Sequence, residues 1–296
     1  MSDGHSIRGS ITIPMIKELE IDLPPIFEQK EVANILSSLD DKIELNNQMN
    51  ETLEELAQTL YKQWFIDFEF PNENGEPYKS SGGKMVETEL GLIPEGWRVL
   101  SIDDIVQYNK RGYSPKYTEN DIAEGIPVIN QRCVRNHTII EEAVRYHDNN
   151  IKEAPKDKYH NAWDVLINSM GVGTLGRVAI SSISHNRIVH SVITILRANT
   201  NIILEPIFSY AMLLLEDTFT QMGEGSTGQT SLSNSYLGQI KVVVAPIKIQ
   251  NKINDLITEI QKRIDSNYLE NKTLAEIRDL LLPKLMSGEI RVPIKE

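Results

Sequence analysis

The chain has one cysteine, Cys133, among its 296 residues, which excludes an internal disulfide and a thiolate metal cluster. A reducing cytoplasm is the expected compartment. Long hydrophobic runs are lacking too. The longest apolar stretches, near residues 210–215 and 240–249, fall well short of the ~20 residues that cross a bilayer. The opening residues, Met1 to Ser6, show no basic region followed by an apolar one, so no secretory signal is read there. Basic charge is scarce: 30 Lys and Arg stand against 42 Asp and Glu, a net charge of −12. Domains that bind nucleic acid unaided usually carry a basic excess, so bulk electrostatics argues against an autonomous binder. Signatures of catalysis are equally thin. The histidines (His5, His137, His147, His160, His185, His190) show no HExxH or other tight ligand spacing. No GxSxG elbow is present, and Cys133 lies in no local nucleophile signature.

What the chain has in plenty is itself. Shifted by 221 residues, Pro25-Ile26 falls on Pro246-Ile247, Gln29 on Gln250 and Ile43 on Ile264. Asn46 meets Asn267, Asn50 meets Asn271, Thr52-Leu53 meets Thr273-Leu274, Glu55 meets Glu276 and Leu60 meets Leu281. Two like arms around a unique middle point to a scaffold that holds a recognition domain, and away from a single-pocket enzyme.

Each arm reads as a short strand, a proline stop and a long helix. Leu19, Ile21 and Leu23 alternate with Glu20 and Asp22 before Pro24-Pro25, and Ile240–Val244 precedes Ala245-Pro246. Beyond the prolines, Val32, Leu36, Leu39, Ile43, Asn46, Asn50, Leu53, Ala57, Leu60 and Trp64 recur at alternating spacings of four and three. In the second arm those slots hold Ile253, Ile257, Ile260, Ile264, Asn267, Asn271, Leu274, Arg278, Leu281 and Leu285. This is a heptad seam, and each helix should run roughly 55 Å. An asparagine inside such a seam lowers stability but fixes register and partner orientation. Antiparallel pairing with centres aligned would set Asn46 beside Asn271 and Asn50 beside Asn267; the bland alternative is that all four face solvent. Charge suits pairing: residues 26–70 carry 10 acids and 3 bases, whereas residues 247–285 carry 7 bases and 6 acids.

Between the arms, residues 71–96 are rich in turn formers and read as a connector. Residues 97–246 mix short strands (128–129, 165–167, 178–180, 189–196) with one expected helix over 207–218, which suggests a compact α+β or mostly β domain. Gly171-Val-Gly173-Thr-Leu-Gly176 matches a dinucleotide-type GxGxxG pattern. That chemistry needs a helix after the glycines, and Arg177–Ile180 reads as a strand, so a glycine-rich hairpin is expected. Asp22-Leu-Pro-Pro-Ile-Phe27 is faintly similar to the DPPF motif of amino-group methyltransferases, with one residue too many. The polar loops say more. Residues 110–115, 130–136, 169–177 and 225–231 join glycine with Arg, Gln, Asn, Ser and Thr, the side chains that bond base edges and the residue that lets backbone approach phosphate. Each loop alone reads equally well as solvated surface.

Trp64-Phe-Ile-Asp-Phe-Glu-Phe-Pro71, followed by Glu87-Thr-Glu-Leu-Gly-Leu-Ile-Pro-Glu-Gly-Trp97, resembles the junction between helix and target recognition domain in the specificity subunits of type I restriction–modification systems. Gly173-Thr-Leu-Gly-Arg-Val-Ala-Ile180 is similar to that family's GTIGKVAI-like segment. Gly225-Ser-Thr-Gly-Gln-Thr-Ser-Leu232, with 237–246 and Gln250, resembles the run that closes a recognition domain. The resemblance covers nearly the whole chain.

It implies an α+β protein: one globular mixed α/β target recognition domain plus two long helices forming an antiparallel coiled coil. The expected parts are a remnant closing strand (1–25), the first long helix (26–70), the connector (71–96), the recognition domain (97–246) and the second helix with its tail (247–296). A full subunit alternates two recognition domains with two helices. Here Gly4 aligns with Gly225 and Ser10 with Ser231, so the chain reads as a half-size form. It would read a bipartite site alone, dimerise, or join a complementing half-subunit, and these stay open. The resemblance further implies a non-catalytic DNA reader that docks methylation subunits, which bind S-adenosylmethionine and methylate adenine N6; a restriction subunit joins some such complexes. Those neighbours would supply the missing phosphate-neutralising bases. No metal or cofactor is expected in this chain. Loop chemistry and resemblance together nominate Arg111, Gln131, Arg132, Arg135, Thr174, Arg177, Thr227 and Gln229 for base or phosphate contacts, and Asn46, Asn50, Asn267 and Asn271 for helix pairing. The rivals are an interaction subunit that reads no DNA and a stand-alone methyltransferase; the missing motifs weigh against the latter.

Overall fold

A computed structural model describes residues 12–18, 23–118, 125–140, 144–223 and 231–292. The chain divides into two compact units, Met1–Asn46 with Glu270–Glu296, and Asn47–Leu269. Both draw on the same two 40-residue helices, α2 (Ile26–Phe65) and α7 (Ile247–Met286), which follow a five-residue helix α1 (Ile13–Lys17) and enclose everything else in sequence.

In the smaller unit the early part of α2 pairs with the late part of α7. The direction is antiparallel: Glu28 meets Arg291 at 3.0 Å, Asp40 meets Arg278 at 2.8 Å, and Asn46 Nδ2 donates to Asn271 Oδ1 at 2.8 Å. Lys42 closes the motif, donating to Asn46 Oδ1 at 3.1 Å and facing Glu270 at 3.4 Å. Seam positions Val32 and Leu285 are buried, whereas Asn34, Ser37 and Ser38 between seam slots are exposed. That alternation is what a heptad pattern produces when one stripe is removed from water. The expected strand over 19–23 lies almost wholly outside the described residues.

The larger unit begins where the helices acquire a second apolar neighbour. Ala57, Tyr61 and Phe65 of α2 and Ile253, Ile257, Ile260 and Ile264 of α7 join one core with strands and helices from the middle of the chain. The chain then folds β1 (Met85–Thr88) against β2 (Gly91–Pro94) in an antiparallel hairpin. Residues 71–96 are thus more than a connector. Phe65, Phe68 and Phe70 all pack on Trp97, at ring separations of 5.8, 5.5 and 5.1 Å, and Phe70 stacks on Tyr78.

Next come β3 (Arg98–Ser101), the capped turn α3 (Ile102–Ile105) and β4 (Val106–Arg111). Short strands follow: β5 (Ile126–Ile129), β6 (Val134–Arg135), β7 (Thr138–Ile139), β8 (Arg145–His147), β9 (Val165–Asn168), β10 (Val178–Ala179), β11 (Ile188–Val189) and β12 (Ile193–Ala198). Helices α4 (Glu205–Leu213), α5 (Glu216–Gly223) and α6 (Asn234–Gln239) lead to β13 (Lys241–Val244), which pairs antiparallel with β3. The central sheet has the order β10-β9-β12-β4, and a second sheet runs β11-β5-β8.

Two expectations are corrected here. The strand expected over 189–196 is two strands, because the backbone turns at His190–Val192; the Ile193 amide bonds the His190 carbonyl at 2.9 Å. The single helix expected over 207–218 is likewise two, interrupted at Leu214-Leu215.

Candidate nucleic-acid interface

The register of the central sheet explains why the nominated loops meet. Strand β12 pairs Ile193 with Asn168 of β9 and Thr194 with Arg111 of β4. The end of β9, the start of β12 and the end of β4 therefore lie at one edge of the sheet. The 171–176 connection leaves from that edge, since β10 returns antiparallel to β9 with Val178 opposite Ile167. The 190–192 turn enters β12 there. Met170 bridges to Ser231, and Leu232 N donates to Ser169 O at 2.9 Å, so the described end of the 225–231 loop arrives at the same place. The 130–136 loop is fastened alongside, with Asn168 Nδ2 donating to Gln131 O at 3.0 Å. Three polar segments, 110–115, 130–136 and 169–177, and the described end of a fourth at Ser231 meet at one surface.

At this surface lies a cleft of about 500 Å³ lined by Tyr117, Asn130, Gln131, Arg132, Val144, Arg145, His190 and Val192. Two arginines and no carboxylate line it among the described residues, in a chain whose net charge is −12. The guanidinium carbon of Arg145 sits 3.5 Å from the centroid of the Tyr117 ring, and that ring lies nearly parallel to His190 (21°, centroids 6.3 Å apart). Burial, with Arg145 nearby, holds the His190 imidazole below its ordinary pKa. A neutral ring in a cationic cleft leaves the arginines as the charge a ligand meets.

Of the nominated residues, Gln131 and Arg132 line this cleft. Gly171 lies against Gln131: a Cβ there would stand 3.6 Å from the Gln131 amide carbon and 2.8 Å from Thr174 Oγ1, at a φ of +117°. Thr174 Oγ1 is buried without a hydrogen-bond partner. Arg177 is half-buried just past the loop, where its carbonyl accepts from Asn168 N at 2.9 Å. Arg111 is not among the residues that line the cleft. Its Nη2 donates to Leu232 O at 2.7 Å, its Nη1 is buried, and desolvation lowers its pKa, so it ties β4 to the 231–232 segment. Arg135 is exposed on β6, outside the cleft lining, beside a turn in which Asn136 and His137 both adopt positive φ. That turn is pinned to α2 and α5: His137 Nδ1 bonds Glu54, and its Nε2 lies 3.8 Å from Glu216. Thr227 and Gln229 lie outside the described residues. Tyr117, Arg145 and His190 were not nominated, because they are far apart in sequence and share no local pattern.

The helix-pairing asparagines are brought together two by two. Asn46 bonds Asn271 in the smaller unit. In the larger unit, Asn267 Nδ2 donates to Asn50 Oδ1 at 2.7 Å.

The glycine-rich segment is a hairpin connection with no helix after it. It lacks the helix N-terminus that a dinucleotide pyrophosphate requires. Among the described residues no group of His, Cys, Asp and Glu is placed to hold a metal ion, and no helix is long and apolar enough to cross a membrane.

A family model described as the type I restriction modification DNA specificity domain matches residues 4–55 and 94–278. The type I restriction enzyme MjaIX specificity subunit of Methanocaldococcus jannaschii is 29% identical, over 97% of this chain and 65% of its own length. The HindI specificity subunit of Haemophilus influenzae is 25% identical, over 95% of this chain and 71% of its own. The chain thus spans about two thirds of the length of these curated relatives. Among solved structures, the type I restriction–modification system S subunit from M. genitalium has a similar fold. It superposes with a TM-score of 0.57 at 20% identity, covering 96% of this chain and 66% of that one.

Proposed function

Because the chain belongs to the type I restriction modification DNA specificity family, we propose that it is the DNA sequence-recognition subunit of a type I restriction–modification methyltransferase. Its recognition domain reads one half-site, and its paired helices dock methylation subunits. The observation that carries this reading is the convergence of the polar loops on one cleft that two arginines and no carboxylate line among the described residues. Amide and guanidinium side chains on a concave, cationic surface are the groups that hydrogen-bond base edges. Gln131 and Arg132 are the nominated residues best placed to do so. Thr174 and Arg177 contribute from the glycine loop, Arg135, Thr227 and Gln229 from the flanking segments, and Arg111 by holding the site together.

The subunit performs no chemistry of its own in this reading. A methylation subunit binds S-adenosylmethionine and transfers the methyl group to adenine N6, a restriction subunit joins for cleavage, and the complex works in the cytoplasm. Basic residues of the neighbours offset the acidic balance of this chain, which would otherwise weaken attraction to phosphate.

Sequencing methylated bases in cells with and without the gene tests the proposal. Loss of one specific methylated motif on deletion is the expected result. An unchanged set of motifs would leave only the interaction role.

A further inference from the structure

Two arginines in this domain lie on tyrosine rings, and they differ in one respect. Arg197 lies over Tyr108 at 4.6 Å, and its N–H groups are committed: Nε and Nη2 donate to the Asp164 carboxylate at 2.6 and 3.0 Å, and Nη2 also donates to Tyr159 O at 2.7 Å. Arg145 lies closer to its ring, at 3.5 Å from Tyr117. Its side chain is exposed, and no acceptor faces its guanidinium among the described residues. A planar cation held over an aromatic face keeps its rigid fork of donors pointing in one plane. Tyr117 is itself held, bridging to His147 of β8 and lying along His190. Arg145 is fixed on β8, whose register with β5 sets it opposite Val128. A pre-oriented fork of unused donors is thus built into the wall of a cleft that also presents Asn130 and Gln131.

We propose that Arg145, held over the Tyr117 ring, reads one guanine of the target half-site, and that this pair is a specificity-determining element. An arginine fork matches the O6 and N7 acceptors of guanine in the major groove. The amide-bearing neighbours favour a base edge over a phosphate, because amides add directional bonds but no charge. This inference rests on the reading of the chain as a DNA-recognition subunit.

The test uses the full chain reconstituted with its methylation subunit, on duplexes carrying the motif found by methylome sequencing. Each guanine is replaced in turn by 7-deazaguanine, which lacks N7. The wild-type complex should lose about tenfold in affinity at one guanine, in line with a bidentate contact. Arg145→Lys, which keeps the charge but loses the fork, should be indifferent to the replacement at that guanine while still responding at others. Arg145→Gln should shift preference there from guanine to adenine, and Tyr117→Leu should weaken the same discrimination without abolishing binding. Thermal melts establish that these variants fold; Arg145 is exposed, so its melts should match wild type.

The proposal falls if Arg145→Lys retains every wild-type sensitivity. It falls equally if all duplexes weaken together with a shallower salt dependence, the mark of a phosphate contact, or if the folded variants bind nothing. A wild-type complex indifferent to every 7-deazaguanine overturns the proposal too, whereas one that binds the motif duplex no better than an unrelated duplex would overturn the recognition reading itself.

Discussion

Asn267 donates to Asn50 across the helix seam of the larger unit at 2.7 Å, with both side chains buried (1% and 4% exposed). Asn50 Nδ2 reaches back to Ile264 O at 3.4 Å, while Asn267 Oδ1 finds no partner. A buried amide pair that is only partly satisfied orients two helices at some loss of stability. Asn267→Ala should therefore destabilise the chain by about 1–3 kcal/mol, because Asn50 Oδ1 is left desolvated and without its donor. The double variant Asn50→Leu with Asn267→Leu should be near neutral or more stable. Chemical denaturation of the single and double variants checks both. A double variant at least as unstable as the sum of its singles would remove the pairing argument.

How much of this was legible beforehand depends on the range of the signal. The helices and their facing asparagines were, because heptad spacing is local and the 221-residue repeat presents it twice. The glycine segment was readable as a hairpin because Val178 to Ile180 could be read as a strand. The chemistry of Arg111 suits a base and a backbone carbonyl equally. Only the fold sets Leu232 O within 2.7 Å of it. Tyr117 and Arg145 were invisible for a related reason. They lie 28 residues apart and meet only because Tyr117 bridges to His147 of β8, a pairing that no local pattern encodes. The break between β11 and β12 was missed because Val189 and Ile193–Leu196 read as one apolar run.

His137 and His160 should push stability in opposite directions with pH. The hydrogen bond from His137 to Glu54, and the charges of Glu54 and Glu216, hold its imidazole above the ordinary value despite desolvation. Gln58, whose Nε2 lies 3.5 Å from His137 Nδ1, and Asn136, Thr138, Tyr210, Gln261 and Tyr268 are other polar groups around this turn. A raised pKa means that the contribution is full below the unfolded value of ~6.5 and is lost as pH rises through the folded value. His160 is buried, both ring nitrogens lack partners, and desolvation with His185 and two arginines nearby pushes its pKa down to about 3. Its contribution is present above ~6.5 and is lost as pH falls toward 3. Relative to wild type, His137→Gln should lose most stability near pH 5 and little at pH 9. His160→Phe should flatten the acid limb of the stability curve below pH 6. Denaturant midpoints across pH separate the two slopes, and parallel curves would refute the assignment.

Gly176 holds the glycine loop against α5. Its φ is +83°, and a Cβ there would stand 2.5 Å from Thr220 N and 2.6 Å from Thr220 Cα. Backbone atoms of a helix cannot step aside as a flexible side chain can. Gly176→Ala should therefore cost about 2 kcal/mol or more, combining left-handed strain with overpacking. Gly173 makes the informative control, since its φ of +74° is similar but nothing lies within 4 Å of its Cβ position. Gly173→Ala should cost only the strain, about 1 kcal/mol. Equal losses for the two in thermal or chemical melts would show that the contact with Thr220 does not matter.

The ion pair of Asp164 and Arg197 should support the domain without touching what it recognises. Asp164 is 1% exposed and precedes β9, while Arg197 lies near the end of β12, with Leu196 opposite Val165. Both therefore stand at the end of the sheet away from Asn168 and Ile193, where the cleft opens, about 10 Å along the strands. Removing one partner leaves the other charge buried and uncompensated, so Asp164→Asn should destabilise by about 3–5 kcal/mol. The cleft stack of Arg145 on Tyr117 contains neither residue. At temperatures where the variant remains folded, its methylated motif should be that of wild type, with a lower yield as folded complex is lost. Denaturant unfolding measures the first effect and methylome sequencing the second. A changed motif at full folding would mean that the far end of the sheet sets the geometry of the cleft.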